Sequence, residues 1–301
     1  MRAGSGPMHP DPDVRNWIRC HKAWTGPDTG IHRLGSADFW NRAWLKRAGK
    51  KATERDPNRK RTEAIFGLLE EAGFRVQSAR VLDIGCGPGA LSLPLARAGA
   101  RVTSLDISST ALGCLVSEAE REGLSIEPVE CSWWTADIDR LGFRNRFDLV
   151  IASRTPSIKD VATFDRMADC SRNLCYFSGF LPGGRNPALQ DIYRNILGAD
   201  FPRYRENRPL FLYYFMYLYL KGYRPIVRVH HHRQNEEVGW EEAADQAIRF
   251  IDRAEIFPED TKREIRDYFQ KSSTDGIYPV RSDGYAGMMV WDVNRREGAL
   301  G

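Results

Sequence analysis

The chain has 301 residues, 42% of them hydrophobic and 28% charged, with a formal net charge of +4. Such proportions belong to a globular chain long enough to bury a sizeable core, and they exclude a disordered chain, a collagen-like fibre and a coiled-coil rod. The charge is uneven: positions 42–61 hold nine basic and two acidic residues, and the remainder is slightly acidic.

Residues 1–36 are rich in Gly, Pro and Asp and read as a mobile leader anchored by Trp17 and Trp24, with no apolar core of a signal peptide. Helical patterning starts near Asp38 and recurs over about 58–72, where Ala64, Ile65, Leu68 and Leu69 share one face before Gly73. The next segment alternates. Strands are predicted at 80–84, 102–106, 126–131, 147–152 and 174–180, with helices at 90–98, 110–122 and 161–170. Strands alternating with helices imply a parallel, doubly wound α/β sheet. Beyond Pro182 come helices at about 187–197 and 210–221, a sixth strand at 225–232, amphipathic helices at 240–251 and 259–271, and a last strand at 285–293.

The organisation expected is a leader with N-terminal lid helices (1–61), a core (62–181), helical cap insertions with the sixth strand (182–279), and a last strand with a tail (280–301). The apolar run Pro209–Leu220 is too short to span a bilayer, for which about 18 residues are needed. Six cysteines without a Cys-x-x-Cys pair read as reduced thiols of a cytoplasmic protein.

The most informative stretch is Asp83-Ile-Gly85-Cys86-Gly87-Pro-Gly89, a turn between a strand and a helix. Closely spaced glycines let backbone approach a ligand without a Cβ in the way. A dinucleotide site uses G-x-G-x-x-G and seats a pyrophosphate on the helix N-terminus. Here the spacing is G-x-G-x-G, and Asp83 would repel a pyrophosphate but anchor an ammonium group. Asp106 ends the second strand, where a carboxylate accepts hydrogen bonds from ribose hydroxyls. An ammonium partner and a ribose partner together describe S-adenosylmethionine.

The run VLDIGCGPG at 81–89, with VTSLDIS at 102–108, resembles the class I S-adenosylmethionine-dependent methyltransferases. The resemblance covers about residues 62–181. It implies a Rossmann-like fold with a seven-stranded, mostly parallel sheet, an N-terminal helical lid, and helical insertions after the fifth and sixth strands. It also implies a cofactor site of Asp83, Gly85, Cys86, Gly87, Gly89, Asp106, Ile107, Ser132, Trp133 and Ser153. After the third strand the family often places an acid against adenine. Ser132, or Cys131 with a one-residue slip, stands there instead, Asp137 lies five residues on, and Trp133 is expected to stack on the ring, the alternative being that Trp133 and Trp134 are both buried packing. Phe39-Trp-Asn-Arg-Ala-Trp44 is similar to a lid-helix element of small-molecule methyltransferases.

The fourth strand ends Ser153-Arg154-Thr155-Pro156, without the N-P-P-Y or Pro-Cys sequences of DNA methyltransferases. Arg154 suits a substrate carboxylate. Other catalytic candidates are His230, His232 and Tyr217, with Tyr213 as a second tyrosine of the aromatic helix. That helix reads either as core or as a wall over the acceptor. His230 and His232 with Glu236 or Cys20 would make a metal site, but none is expected. The function expected is methyl transfer to a small-molecule acceptor, with no membrane and no nucleic-acid partner; a homodimer stays open. Two rivals remain: an RNA methyltransferase led by segment 42–61, and a cofactor-binding protein without catalysis.

Overall fold

A computed structural model describes residues 12–25, 34–48, 59–200, 210–252 and 257–297. The strands are β1 (Arg80–Ile84), β2 (Arg101–Asp106), β3 (Ile126–Glu130), β4 (Phe147–Ser153), β5 (Ser171–Arg185), β6 (Ile226–Gly239) and β7 (Ile277–Asp292). The helices are α1 (Pro12–Thr25), α2 (Ala37–Ala48), α3 (Arg59–Glu71), α4 (Ser92–Arg97), α5 (Ser109–Arg121), α6 (Val161–Cys170), α7 (Pro187–Asn195), α8 (Leu210–Leu220), α9 (Trp240–Ile251) and α10 (Glu259–Lys271). Among the described residues, no helix is long and apolar enough to cross a membrane.

One seven-stranded sheet runs in the order β3-β2-β1-β4-β5-β7-β6. The pairs β1–β2, β1–β4, β2–β3 and β4–β5 are parallel. Strand order reverses between β1 and β4, and in doubly wound sheets ligands bind beyond the carboxyl ends of strands at such a switch point. The chain divides into two compact units: 1–179 with 211–228 and 288–301, and 180–210 with 229–287. The aromatic helix α8 thus belongs with the core rather than with the cap insertions.

Period-two alternation sends strand residues to opposite faces. Val81, Leu149, Ile151, Tyr176 and Val290 form one core cluster with Ile65, Leu68 and Leu69 of α3 and with Leu95 of α4. Among the aromatics, Phe164 of α6 stacks on Tyr214 of α8 at 4.3 Å and on Trp291 of β7 at 5.3 Å, with Phe177 of β5 edge-on. The second unit has its own core, in which Leu189 and Ile192 of α7 meet Ala244, Ile248, Ile265 and Phe269.

Two expectations change. Part of the leader is helix: α1 packs Trp17 on Tyr213, and its indole N–H donates to the Tyr213 carbonyl at 3.1 Å. Strands β5, β6 and β7 are longer than their apolar patterns, because each continues through residues of the second unit.

Candidate cofactor and acceptor site

The switch point brings the glycine turn beside the end of β4. Gly85, Gly87 and Gly89 all have positive φ, at 67°, 56° and 93°. A Cβ on Gly85 would stand 2.1 Å from the Thr155 Oγ1, and one on Gly87 would lie 3.1 Å from the Trp44 ring of α2. Glycine is required at the first by space and conformation together. The turn is held by the Gly85 and Cys86 amides, which donate to the Leu105 carbonyl at 2.7 and 3.1 Å.

Asp106 accepts from the Gly87 amide at 2.8 Å through Oδ2 and from the Ser108 amide at 2.9 Å through Oδ1. A carboxylate has about four acceptor positions, so two remain for ligand hydroxyls. Burial pushes its pKa up, against those amide bonds. Asp83 is 3% exposed and accepts from the Ser92 hydroxyl at 2.7 Å, which in turn accepts from the Ser104 hydroxyl at 2.8 Å. Burial pushes the Asp83 carboxyl up to about 6, opposed by the Ser92 bond and by Arg61, and reinforced by Asp106. Cys86 is buried and its thiol is driven well up by burial, so it is a neutral packing residue.

The lid helix is tied to this end of the sheet. The Asn41 Oδ1 of α2 accepts from the Ser108 hydroxyl at 2.7 Å and from the Thr110 amide at 3.2 Å. Ile107 is half-buried between the two anchors.

Beside the turn, the end of β4 and the last β5 residue paired with it, Ser178, carry hydroxyls next to cations. Ser153 and Ser178 share a hydrogen bond of 2.9 Å, and the Arg61 Nη2 donates to the Ser153 Oγ at 3.4 Å. The Arg61 Nε is buried and has no hydrogen-bond partner among the described residues. Arg154 has φ 50°, and its amide donates to the Ser178 carbonyl at 3.0 Å. Burial first, and then Arg61, lowers the Arg154 pKa. The buried Tyr176 hydroxyl is pushed up to about 12 by burial, although Ser178, Arg61, Ser153 and Arg154 all favour its ionised form. In the sequence Arg61 is one more charge of the basic run, and its position three residues before the apolar face of α3 carries no local signal of a site role.

Other candidates fall elsewhere. Trp133 is 2% exposed, its indole N–H donates to the Thr163 carbonyl at 3.0 Å, and the Arg166 guanidinium lies over its ring. No ring face is left to stack on adenine, which corrects that expectation. The half-buried indole is Trp134, bonded to the Pro156 carbonyl at 3.1 Å and packed against Gly35. Ser132 is half-buried at the end of β3, where the Cys131 amide donates to the Asp106 carbonyl. Asp137 caps the Asp139 and Arg140 amides instead of facing a ligand.

Tyr217 is corrected likewise. Its hydroxyl donates to Asp165 of α6 at 2.6 Å, and Lys221 bonds the same carboxylate at 3.1 Å. Burial and Asp165 raise its pKa strongly. The buried aromatic rings of α8 pack on Phe164 of α6, Phe177 of β5 and Trp17 of α1, so the core reading of that helix holds. A neighbouring cavity is lined by Asp165, Leu218, Lys221, Tyr223 and Arg296, and by no glycine-turn residue. His230 and His232 belong to the second unit, where His231 stacks on Tyr285 at 4.5 Å. Among the described residues, no three His, Cys, Asp or Glu side chains gather to hold a metal.

Known proteins match this chain in both sequence and fold. A methyltransferase-domain family model matches residues 81–174. The ubiquinone biosynthesis O-methyltransferase of Methylobacterium sp. (strain 4-46) is 33% identical over 211 residues, covering 67% of this chain and 74% of that one. Its counterpart in Methylocella silvestris is 30% identical over 215 residues, with the same coverage. A solved Bacillus halodurans C-125 structure shares the fold with TM-score 0.50 and 15% identity, covering 77% of this chain and 99% of that one. Magnesium protoporphyrin IX methyltransferase from Synechocystis PCC 6803, solved with bound SAH, aligns with TM-score 0.46 and 15% identity over 84% and 96% of the two chains.

The donor set fits the cofactor: a glycine cradle closed to any Cβ, one buried carboxylate for a cation, and a second with acceptor positions left for hydroxyls. The chain belongs to the class I S-adenosylmethionine-dependent methyltransferases of the small-molecule type, with S-adenosylmethionine as its cofactor.

Proposed function

We propose that this enzyme methylates a hydroxyl oxygen of its small-molecule acceptor. The observation that carries this is the chemistry where β4 ends against β5: the Ser153–Ser178 hydroxyl pair with the Arg61 guanidinium bonded to Ser153. A hydroxyl acceptor must shed its proton, and nearby cations favour the oxyanion that results. An amine acceptor arrives as an ammonium ion, which the same cations repel. The name of the O-methyltransferase relatives agrees.

When bound, S-adenosylmethionine supplies a methyl group on a positively charged sulfur, an already activated leaving group. The protein's part is alignment and exclusion of water. Asp83 holds the ammonium end and Asp106 the ribose hydroxyls, with Gly85, Gly87, Gly89, Ile107 and Ser132 forming the walls. The lid helix α2, pinned through Asn41, places Trp44 over the turn and keeps solvent away. Ser153 serves the acceptor side. Tyr176, protonated at neutral pH, is a hydrogen-bond donor and not a base.

The test is transfer of labelled methyl from S-adenosylmethionine to matched phenol, benzylamine and thiophenol acceptors. Methyl ethers are expected. Label found only on nitrogen or sulfur would overturn the reading.

A further inference from the structure

The first unit holds a second concave place. Where α6, the end of α8 and the end of β7 meet there is a cavity of about 240 Å³. At about 30 Å³ per water it has room for about eight waters, or for one small organic molecule. It shares no residue with the glycine turn or with the Ser153–Ser178 pair.

The polar groups of its wall are unequally used. Asp165 accepts from the Tyr217 hydroxyl at 2.6 Å and from Lys221 at 3.1 Å, and Asp169 pairs with Arg144 at 3.4 Å. Both acids are therefore engaged. The donors are not used up. Lys221 spends two of its three N–H groups, on Asp165 and on the Tyr217 oxygen. Arg296 gives its Nε to the Tyr223 hydroxyl at 2.7 Å and lies 4.8 Å over that ring. Among the described residues it has no ion-pair partner, and both its Nη groups are left for a ligand. Trp291 is part of the same wall, and its indole N–H is buried with no acceptor among the described residues. A buried donor without an acceptor is costly, and a ligand that supplies one removes the cost.

We infer that this cavity is a binding site for a small monocarboxylate. The Arg296 fork takes the carboxylate, and the Trp291 N–H and the remaining Lys221 proton complete its acceptor positions, of which a carboxylate has about four. Phe164 and Leu218 supply apolar wall for the body of the acid. A cation is excluded, since it would meet Arg296 and Lys221 with both acids already engaged. The inference is independent of the hydroxyl-acceptor reading, because the two places share no residue.

The experiment uses the full chain with benzoate as the probe and benzamide as its neutral isostere, followed by calorimetry and by NMR of the indole N–H region. Of the signals from eight tryptophans, the one missing in Trp291→Phe reports on this site. Benzoate is expected to move that signal in a saturable way, and benzamide at the same concentration to leave it in place. Arg296→Gln should weaken benzoate binding about tenfold or more, because an amide cannot replace the charged fork. Its S-adenosylhomocysteine affinity should stay within about threefold of the native value. Arg296 is exposed, so this variant keeps the fold and decides the matter even if Trp291→Phe does not fold. A Trp291 signal that stays still at saturating benzoate overturns the inference. So does an Arg296→Gln protein that binds benzoate as tightly as the native one, which would place the acid elsewhere, the acceptor site included.

Discussion

Asp83 should make this protein less stable at neutral pH than it is in mild acid. Its carboxyl is 3% exposed, and its pKa moves from the ordinary 3.8 to about 6 because burial disfavours the charge. The sign follows from proton counts. Between about pH 4 and pH 6 the folded protein keeps a proton on Asp83 that the unfolded chain has lost, so stability falls as pH rises through this window. At about 1.4 kcal/mol per pH unit, the loss attributable to this group is about 3 kcal/mol, complete by about pH 7. Asp83→Asn removes the titration and keeps an oxygen for the Ser92 hydroxyl. Urea unfolding of both proteins at several pH values isolates the effect. The variant's stability relative to wild type should rise by about 2.4 kcal/mol from pH 4 to pH 7, whatever the constant cost of the new amide. A flat difference, or one of opposite sign, would refute the buried-carboxylate reasoning. The same group couples to the cofactor. An ammonium placed beside Asp83 favours its ionised form, so S-adenosylhomocysteine binding at pH 6 should release a proton into the buffer in the wild type and none in Asp83→Asn. Calorimetry in two buffers of different ionisation enthalpy reads that proton directly.

Asp106→Ala should weaken S-adenosylmethionine binding by about 1–3 kcal/mol, since it strips the ribose acceptor and leaves the Gly87 and Ser108 amides unpaired; unchanged affinity by calorimetry would contradict the assignment. Gly85→Ala should cost about 2–4 kcal/mol of stability from the positive φ and the collision with Thr155, and Thr155→Ala should recover part of it in a double-mutant cycle. Tyr217→Phe leaves the Asp165–Lys221 pair in place and should cost about 1–2 kcal/mol in thermal unfolding with turnover per folded molecule unchanged. A collapse of turnover in the folded variant would restore Tyr217 to the acceptor site. For segment 42–61, which lies partly outside the described residues, tRNA binding should be weaker than micromolar near 150 mM salt, because the rest of the chain is net acidic and adds no attraction for phosphates.

What the sequence determined by itself was local. The strand–turn–helix unit around Gly85, the parallel alternation up to β5, and the two acids at the ends of β1 and β2 follow from periodicity and short spacings, which act within a few residues. The apolar face of α3 was equally legible, since Ile65, Leu68 and Leu69 are all buried. Tertiary structure decided the remainder, because it depends on which strand ends meet. Trp133 and Trp134 are neighbours of the same type, and only packing against α6 decided which one is buried. Tyr217 sits on a helix apolar on every side, so no pattern could say that its hydroxyl would meet Asp165. Arg61 looked like one more charge in a basic run. Its guanidinium nevertheless reaches Ser153 at the end of β4, 92 residues away in the chain. Local patterns cannot encode that distance, because closing it depends on the packing of α3 against the assembled sheet.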